Sequence, residues 1–313
     1  MSDLSFSIVF PGQGSQSVGM LSAMSEVFPS VQATFTEASR VLGYDLWQLV
    51  QNGPADDLNQ TTKTQPAMLA AGVALWRVWQ TEGGMAPRIM AGHSLGEYTA
   101  LVCADAIAFE DAVELVAERG RFMQEAVPAG SGGMAAVLGL DDEQVRAVCS
   151  EAGQGEVVEA VNFNSPGQVV IAGARSAVDR ACKLAKGAGA RRALPLPVSV
   201  PSHCALMKPA AERLSERLAA VTVVSPKIPV LHNVNVETAS DPDMIRQLLA
   251  EQLYRPVRWV ETVQKMAAAG ISDFYEVGPG KVLAGLTKRI DKSLNGAGVF
   301  DPDTLKKAME RSE

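Results

Sequence analysis

A serine between two glycines, Gly92-His93-Ser94-Leu95-Gly96, is the place in this sequence where residue type and spacing point to covalent chemistry. The pattern is GxSxG. The apolar segment RIMAG leads into it and the helical run LGEYTALVCADAI leads out, which is the strand-turn-helix setting of a nucleophile elbow. Backbone meets backbone in so sharp a turn, so only small residues fit at 92 and 96. The Ser94 hydroxyl would stand at the carboxyl end of a strand, with the N–H of Leu95 at a helix N-terminus facing any oxyanion formed beside it. The plainer alternative is a serine in a glycine-flanked loop.

A serine hydroxyl attacks poorly without a base in hydrogen-bond reach. The chain has three histidines. His93 adjoins Ser94 and must point elsewhere if Ser94 holds the tip of the turn. His232, in IPVLHNVN, sits where a core or strand-end residue belongs. His203 follows a proline-rich extended segment and opens a helical run, in VSVPSHCALM, a position suited to projecting into a cleft; it is the preferred base. No acidic residue stands in a motif of its own. Either an inconspicuous Asp or Glu or a backbone carbonyl must hold the imidazole in the required tautomer.

Two glycine turns invite a phosphate reading and fail it. FPGQGSQ (Phe10 to Gln16) has Ser17 where GxGxxG needs its third glycine, and no acidic residue closes an apolar strand about 20 positions on. GPGK (Gly278 to Lys281) has Val282 where a P-loop needs Ser or Thr, and Tyr275 where its first glycine belongs.

The elements that must position these residues alternate. FSIVF precedes a helical stretch from Val27 to Val41, and RIMAG precedes one from Leu95 to Val102. Strand, loop and helix in repetition imply a parallel sheet with helices on both faces. From Pro128 to Val198 the rhythm changes to βαββαβ. MAAVLGL, VVEAVNF, QVVIAG and RRALPLPV are the strands, and DDEQVRAVCSEAG and the run Arg175 to Ala188 the helices; this is the order of a ferredoxin-like unit. The expected fold is therefore α/β. A large α/β-hydrolase-like domain with a parallel sheet (1–127 and 199–313) receives an inserted ferredoxin-like small domain (128–198), whose glycine- and proline-rich edges suit a border.

Composition bounds the partners. At 313 residues and 47% hydrophobic the chain can bury a large core. Its net charge of −7 would repel nucleic acid and anionic membrane over most of the surface. The longest apolar run, Ala67 to Trp76, is short of the roughly 18 residues of a membrane span. MSDLSFSIVFPG reads as a first strand rather than a secretory signal. Cysteines at 103, 149, 182 and 204 form no CxxC pair, which excludes a metal or redox motif of that kind and suits a reducing cytoplasm. A soluble, cytoplasmic protein is expected.

Four blocks in order, FPGQGSQ, AGHSLGEY, VPSHCALM and YEVGPGKV, together with NFNSPGQVVIAG, closely resemble the malonyl-CoA:acyl-carrier-protein transacylases of bacterial fatty-acid synthesis, over about Phe6 to Ile290. The resemblance implies that Ser94 is acylated by malonyl-CoA and passes the malonyl group to the phosphopantetheine thiol of acyl carrier protein. It implies His203 as base, oriented by the backbone carbonyl of Gln252 in EQLYRPV, and an oxyanion hole from the N–H groups of Gln13 and Leu95. It also implies Arg119, in AERGRFMQEA, as the partner of the malonyl carboxylate; without the resemblance Arg119 reads as a solvent-facing residue of a charged helix. No metal and no redox cofactor is implied, malonyl-CoA being a substrate. Carrier proteins of this pathway are acidic, so a local basic face is expected, from Lys183, Lys186, Arg191 and Arg192 or from Lys281, Lys288 and Arg289.

Three rivals remain at this point. An α/β-hydrolase would place its acid between serine and histidine and its histidine near the C-terminus; here 110 residues follow His203, and no HGGG motif precedes the elbow. An acyltransferase serving polyketide assembly would share the chemistry and differ in the carrier. A non-catalytic acyl-CoA or carrier-binding module would have no need of Ser94, His203 and Arg119 together.

Overall fold

The segment Phe6–Phe10 is buried at all five positions, so both of its faces are covered, as in a central strand of a parallel sheet. The structure is a computed structural model that describes residues 6–198 and 200–312; Ser199, at the expected border between domains, lies outside them. Among the described residues the strands are β1 (Phe6–Phe10), β2 (Ile89–Gly92), β3 (Gly132–Leu138), β4 (Val158–Ser165), β5 (Gln168–Ala174), β6 (Arg192–Pro195), β7 (Val230–Leu231), β8 (Asp273–Val277) and β9 (Asn295–Val299). Five of them form one sheet in the order β7-β2-β1-β8-β9, parallel throughout.

Side chains of β1 alternate between two cores, as the two-residue period requires. Phe6, Ile8 and Phe10 pack with the helices Thr61–Thr81 and Leu95–Cys103. Val9 packs with Trp259, Val263 and Met266 of the helix Trp259–Ala268 and with Leu283 and Leu286 of the helix Val282–Ile290. Both sheet faces are thus covered by helices.

Three loops leave the carboxyl ends of adjacent strands, where open α/β sheets keep their crevice: Pro11–Gln16 after β1, the turn at Ser94 after β2, and Gly278–Gly280 after β8. They touch. A Cβ on Gly278 would lie 2.5 Å from Pro11 Cγ, and one on Gly12 would lie 2.5 Å from the His93 carbonyl oxygen.

The other four strands form an antiparallel sheet, β4-β5-β3-β6. With the helices Asp142–Gly153 and Arg175–Gly187 between them in sequence, this is the βαββαβ order read from the sequence. Ala135, Val137, Val169 and Ile171 face those helices. Met134, Val170 and Ala172 face the opposite way and pack with Cys204, next to His203. A bulge between Ala160 and Asn162 bends β4, and there it joins the rest of the chain: the Val257 N–H donates to Val161 O at 2.8 Å and the Phe163 N–H to Val257 O at 3.0 Å.

Several elements differ from the sequence reading in length. The helix expected from Val27 begins at Pro29, because proline at the first helical position needs no N–H partner. The strand expected over 191–198 stops at Pro195, since Leu196 and Val198 leave the sheet to line a cleft. IPVLHNV contributes only Val230 and Leu231; His232 and Asn233 turn instead toward Glu97. Beyond the expected elements lie the edge strand β9, NGAGV, and the helix Pro302–Ser312.

Candidate active site

Ser94 closes β2 and precedes the helix Leu95–Cys103, with φ 53° and ψ −110°. A non-glycine residue in this region carries of order 1–3 kcal/mol of backbone strain. The neighbouring glycines make the turn possible. A Cβ on Gly92 would lie 1.8 Å from the Gly96 carbonyl carbon, and one on Gly96 would lie 2.0 Å from the Phe10 carbonyl oxygen. GxSxG is therefore a packing requirement here.

His203 also has positive φ, 68°, and its N–H is held by Leu253 O at 2.8 Å. Its Nδ1 is 2.7 Å from the Gln252 carbonyl oxygen and its Nε2 is 2.8 Å from Ser94 Oγ. A carbonyl can only accept, so Nδ1 carries the proton and Nε2 is left to accept from the Ser94 hydroxyl. Burial, and next the charge of Arg119, push the imidazole down to about 3 from the ordinary 6.5. Near neutral pH the ring is therefore neutral.

Arg119, on the helix Phe109–Glu125, is 1% exposed, contrary to the solvent-facing reading of its charged helix. That helix turns Glu114 and Glu118 outward to Arg217 and keeps Arg119 inward. Nη1 donates to Gln65 Oε1 at 2.7 Å, and Nη2 to Gln252 Oε1 at 2.9 Å and to Ser94 Oγ at 3.4 Å. Its Nε–H has no partner among the described residues. Among the described residues no carboxylate touches this buried guanidinium, which is held by amide and hydroxyl oxygens; the charge of Glu97 acts on it from beyond Gln252.

Gln13, Ser94, Leu95, Arg119 and His203 line one cavity of about 120 Å³, and Gln252 reaches it through His203 and Arg119. Neither the Gln13 N–H nor the Leu95 N–H has an acceptor among the described residues. The cavity is also lined by Met134 and Asn162 of the antiparallel sheet and by Leu196 and Val198; Asn162 Oδ1 is buried without a partner among the described residues. The remaining histidines take the other parts foreseen for them. His93 Nε2 meets Asn164 Oδ1 at 2.9 Å and His232 Nδ1 meets Glu97 at 2.7 Å. Gln65, Asn233 and Glu97 were not foreseen; their partners are far away in sequence and no local motif marks them. Lys183, Lys186, Arg191, Arg192, Lys281, Lys288 and Arg289 are exposed and none forms an ion pair among the described residues.

Residues 7–304 match the model of the acyl transferase domain. The malonyl CoA-acyl carrier protein transacylase of Escherichia coli K12 is 60% identical over 305 residues, 97% of this chain and 99% of that protein. The acyl carrier protein S-malonyltransferase of Vibrio cholerae superposes with a TM-score of 0.95 at 60% identity, over 97% of this chain and 99% of that one. A malonyl-transacylase solved in complex with its type II PKS acyl-carrier protein superposes at 0.97 with 56% identity, over 98% and 99%. With this match along nearly its whole length, the chain belongs to the acyl transferase family, among the malonyl CoA-acyl carrier protein transacylases.

Proposed function

We propose that this protein transfers the malonyl group of malonyl-CoA to the phosphopantetheine thiol of acyl carrier protein through a malonyl-serine intermediate, supplying fatty-acid elongation. The observation that carries the reading is the buried cation beside the nucleophile: Arg119 Nη2 lies 3.4 Å from Ser94 Oγ with no carboxylate paired to it among the described residues. A dry pocket rejects an anion unless a partner is present, and a guanidinium offers a carboxylate two parallel donors.

In the first half-reaction Ser94 Oγ attacks the thioester carbonyl while His203 Nε2 takes its proton. The negative charge that forms on the carbonyl oxygen meets the unoccupied N–H groups of Gln13 and Leu95. Together they act as the oxyanion hole, each such donor being worth on the order of 3 kcal/mol. The carbon–sulfur bond breaks and His203 returns the proton to the CoA thiolate. In the second, His203 Nε2 takes the proton of the carrier thiol, sulfur attacks the malonyl ester, and the proton goes back to Ser94 Oγ. The Gln252 carbonyl holds Nδ1–H throughout and supports the imidazolium.

No resident cofactor or metal takes part. Residues 128–198 act as a small domain that walls the cleft against the catalytic domain formed by 1–127 and 199–313. The acidic carrier docks on the exposed cations around Arg191 and Arg192 or around Lys281, Lys288 and Arg289. The site of action is the cytoplasm, a reading supported by four cysteines that are all buried and unpaired; among the described residues no helix is long and apolar enough to cross a membrane. Initial rates with malonyl-CoA and carrier protein varied against each other test the scheme. Parallel double-reciprocal lines are expected; intersecting lines would reject a covalent intermediate.

A further inference from the structure

The sequence left open whether an inconspicuous acid serves the site. One is there, and it does not touch the histidine base. Glu97, the third residue of the helix that follows Ser94, is fully buried. Its Oε1 accepts from His232 Nδ1 at 2.7 Å, and its Oε2 accepts from the Asn233 N–H at 2.9 Å and from Gln252 Nε2 at 2.8 Å.

The two residues gathered on Oε2 are the ones that grip the peptide groups of Ser94. Asn233 Oδ1 accepts from the Ser94 N–H at 2.7 Å, while its Nδ2 donates to Gly92 O at 2.7 Å. Gln252 Nε2 donates to the Ser94 carbonyl at 3.0 Å, and its Oε1 accepts from Arg119 Nη2 at 2.9 Å. One carboxylate oxygen thus fixes the N–H of the nucleophile through one intermediary and its C=O through another. That residue is the one with φ 53° and ψ −110°, a conformation that persists only where its surroundings over-determine it.

Resting on the reading of Ser94 as the nucleophile, we propose that Glu97 is the positioning residue of the elbow, holding Ser94 in its strained conformation through Asn233 and Gln252 by hydrogen-bond geometry rather than by charge. The two ways of altering it then separate. Glu97→Gln can place its amide oxygen where Oε2 lies and keep both ties to the elbow. Its NH₂ then faces His232, whose ring can present a bare Nδ1 by carrying its proton on Nε2, an atom with no partner among the described residues. Glu97→Asp keeps the charge and shortens the reach by one carbon–carbon bond, about 1.5 Å, so it cannot hold His232, Asn233 and Gln252 at once.

Single-turnover acylation by malonyl-CoA, read by quenched-flow mass spectrometry with thermal melts alongside, tests this. Glu97→Gln is expected to melt a few degrees lower yet acylate within about fivefold of wild type. Glu97→Asp is expected to lose on the order of 100-fold in kcat, the effect of a misplacement near 1 Å, with KM for malonyl-CoA within about threefold. A charge role predicts the opposite order, and that order in folded variants overturns the proposal. Asn233→Ala gives a second arm, since it leaves Glu97 alone and cuts the tie to the Ser94 N–H. It should reproduce the kcat loss of Glu97→Asp, and a folded Asn233→Ala with wild-type kcat also overturns it. If wild type itself is not acylated, the reading of Ser94 fails instead, before the variants are compared.

Discussion

Arg119→Ala separates recognition of the malonyl carboxylate from the chemistry at Ser94. The guanidinium is 1% exposed, held by the side-chain oxygens of Gln65 and Gln252, and 3.4 Å from the hydroxyl that becomes acylated. A malonyl carboxylate would be the first full counter-charge in its contact shell. Removing one partner of a buried, hydrogen-bonded charge pair costs about 2–5 kcal/mol, which is roughly 30-fold to several thousand-fold in kcat/KM at 1.4 kcal/mol per tenfold. Acetyl-CoA has no carboxylate to lose this contact, and the variant pocket no longer buries an unpaired cation beside a methyl group. Acylation by acetyl-CoA should therefore stay the same or rise. The assay is the rate of acyl-enzyme formation with each thioester, read by intact mass, with a thermal melt to establish folding. An equal loss for both acyl groups in a folded variant would refute the clamp and leave Arg119 as a structural cation.

Four further outcomes follow from named groups. Burial, with Arg119 next, holds His203 near about 3, so kcat/KM for acylation should show no acid limb near the ordinary histidine value of about 6.5, and an observed limb there would contradict the neutral-base assignment. The same shift means that below about 6.5 the unfolded chain binds the proton that folded His203 refuses. His93, lowered chiefly by burial, acts in the same direction, whereas burial raises the carboxyl of Glu276 to about 6 and raises those of Glu159 and Asp142 as well, so these groups favour the fold as pH falls. The two depressed histidines, joined by the lowered carboxyls of Glu125, Glu156 and Glu261, should outweigh the raised carboxyls and lower the urea midpoint from neutral pH to about pH 4.5, and an unchanged midpoint would remove the histidines from the acid response. Gly92→Ala and Gly96→Ala place a Cβ 1.8 Å and 2.0 Å from backbone atoms and are expected to destabilise by more than about 3 kcal/mol, read as loss of soluble folded protein; a stable Gly92→Ala would mean that the elbow can open. Reversing Arg191 and Arg192 to Glu should raise KM for the carrier protein and leave that for malonyl-CoA unchanged, whereas no change for the carrier would take these two out of its docking face.

What the sequence displayed of this site depended on how local the constraint is. Gly92 and Gly96 are demanded by a turn five residues long, so the elbow is legible without structure. His203 emerges from a choice among three histidines. The Gln252 carbonyl is a main-chain group that leaves no residue signature, and it entered through resemblance to relatives. Glu97, Gln65 and Asn233 were silent because their partners come from distant segments: Glu97 meets His232 and Gln65 meets Arg119 only once the helices pack. Arg119 illustrates the limit of reading charge from neighbours, since the same helix sends Glu118 to solvent-side Arg217 and the next residue into the cavity. In the fold, long apolar or alternating segments such as β1, β5 and β8 were recognisable, while β9 was not, because two glycines in NGAGV weaken any strand signal. β6 and β7 came out short for a functional reason, their last expected residues being drawn off to line the cavity or to hold Glu97.

The central claim is that the Ser94 hydroxyl, set 2.8 Å from His203 Nε2, is where the acyl group rests between donor and acceptor. Brief reaction with malonyl-CoA, followed by proteolysis and tandem mass spectrometry, reads the position directly. A single malonyl ester on the peptide bearing Ser94, discharged on adding phosphopantetheinylated carrier protein and absent from Ser94→Ala, is the expected result. A malonyl group elsewhere, or on no residue while transfer to the carrier proceeds, would contradict it.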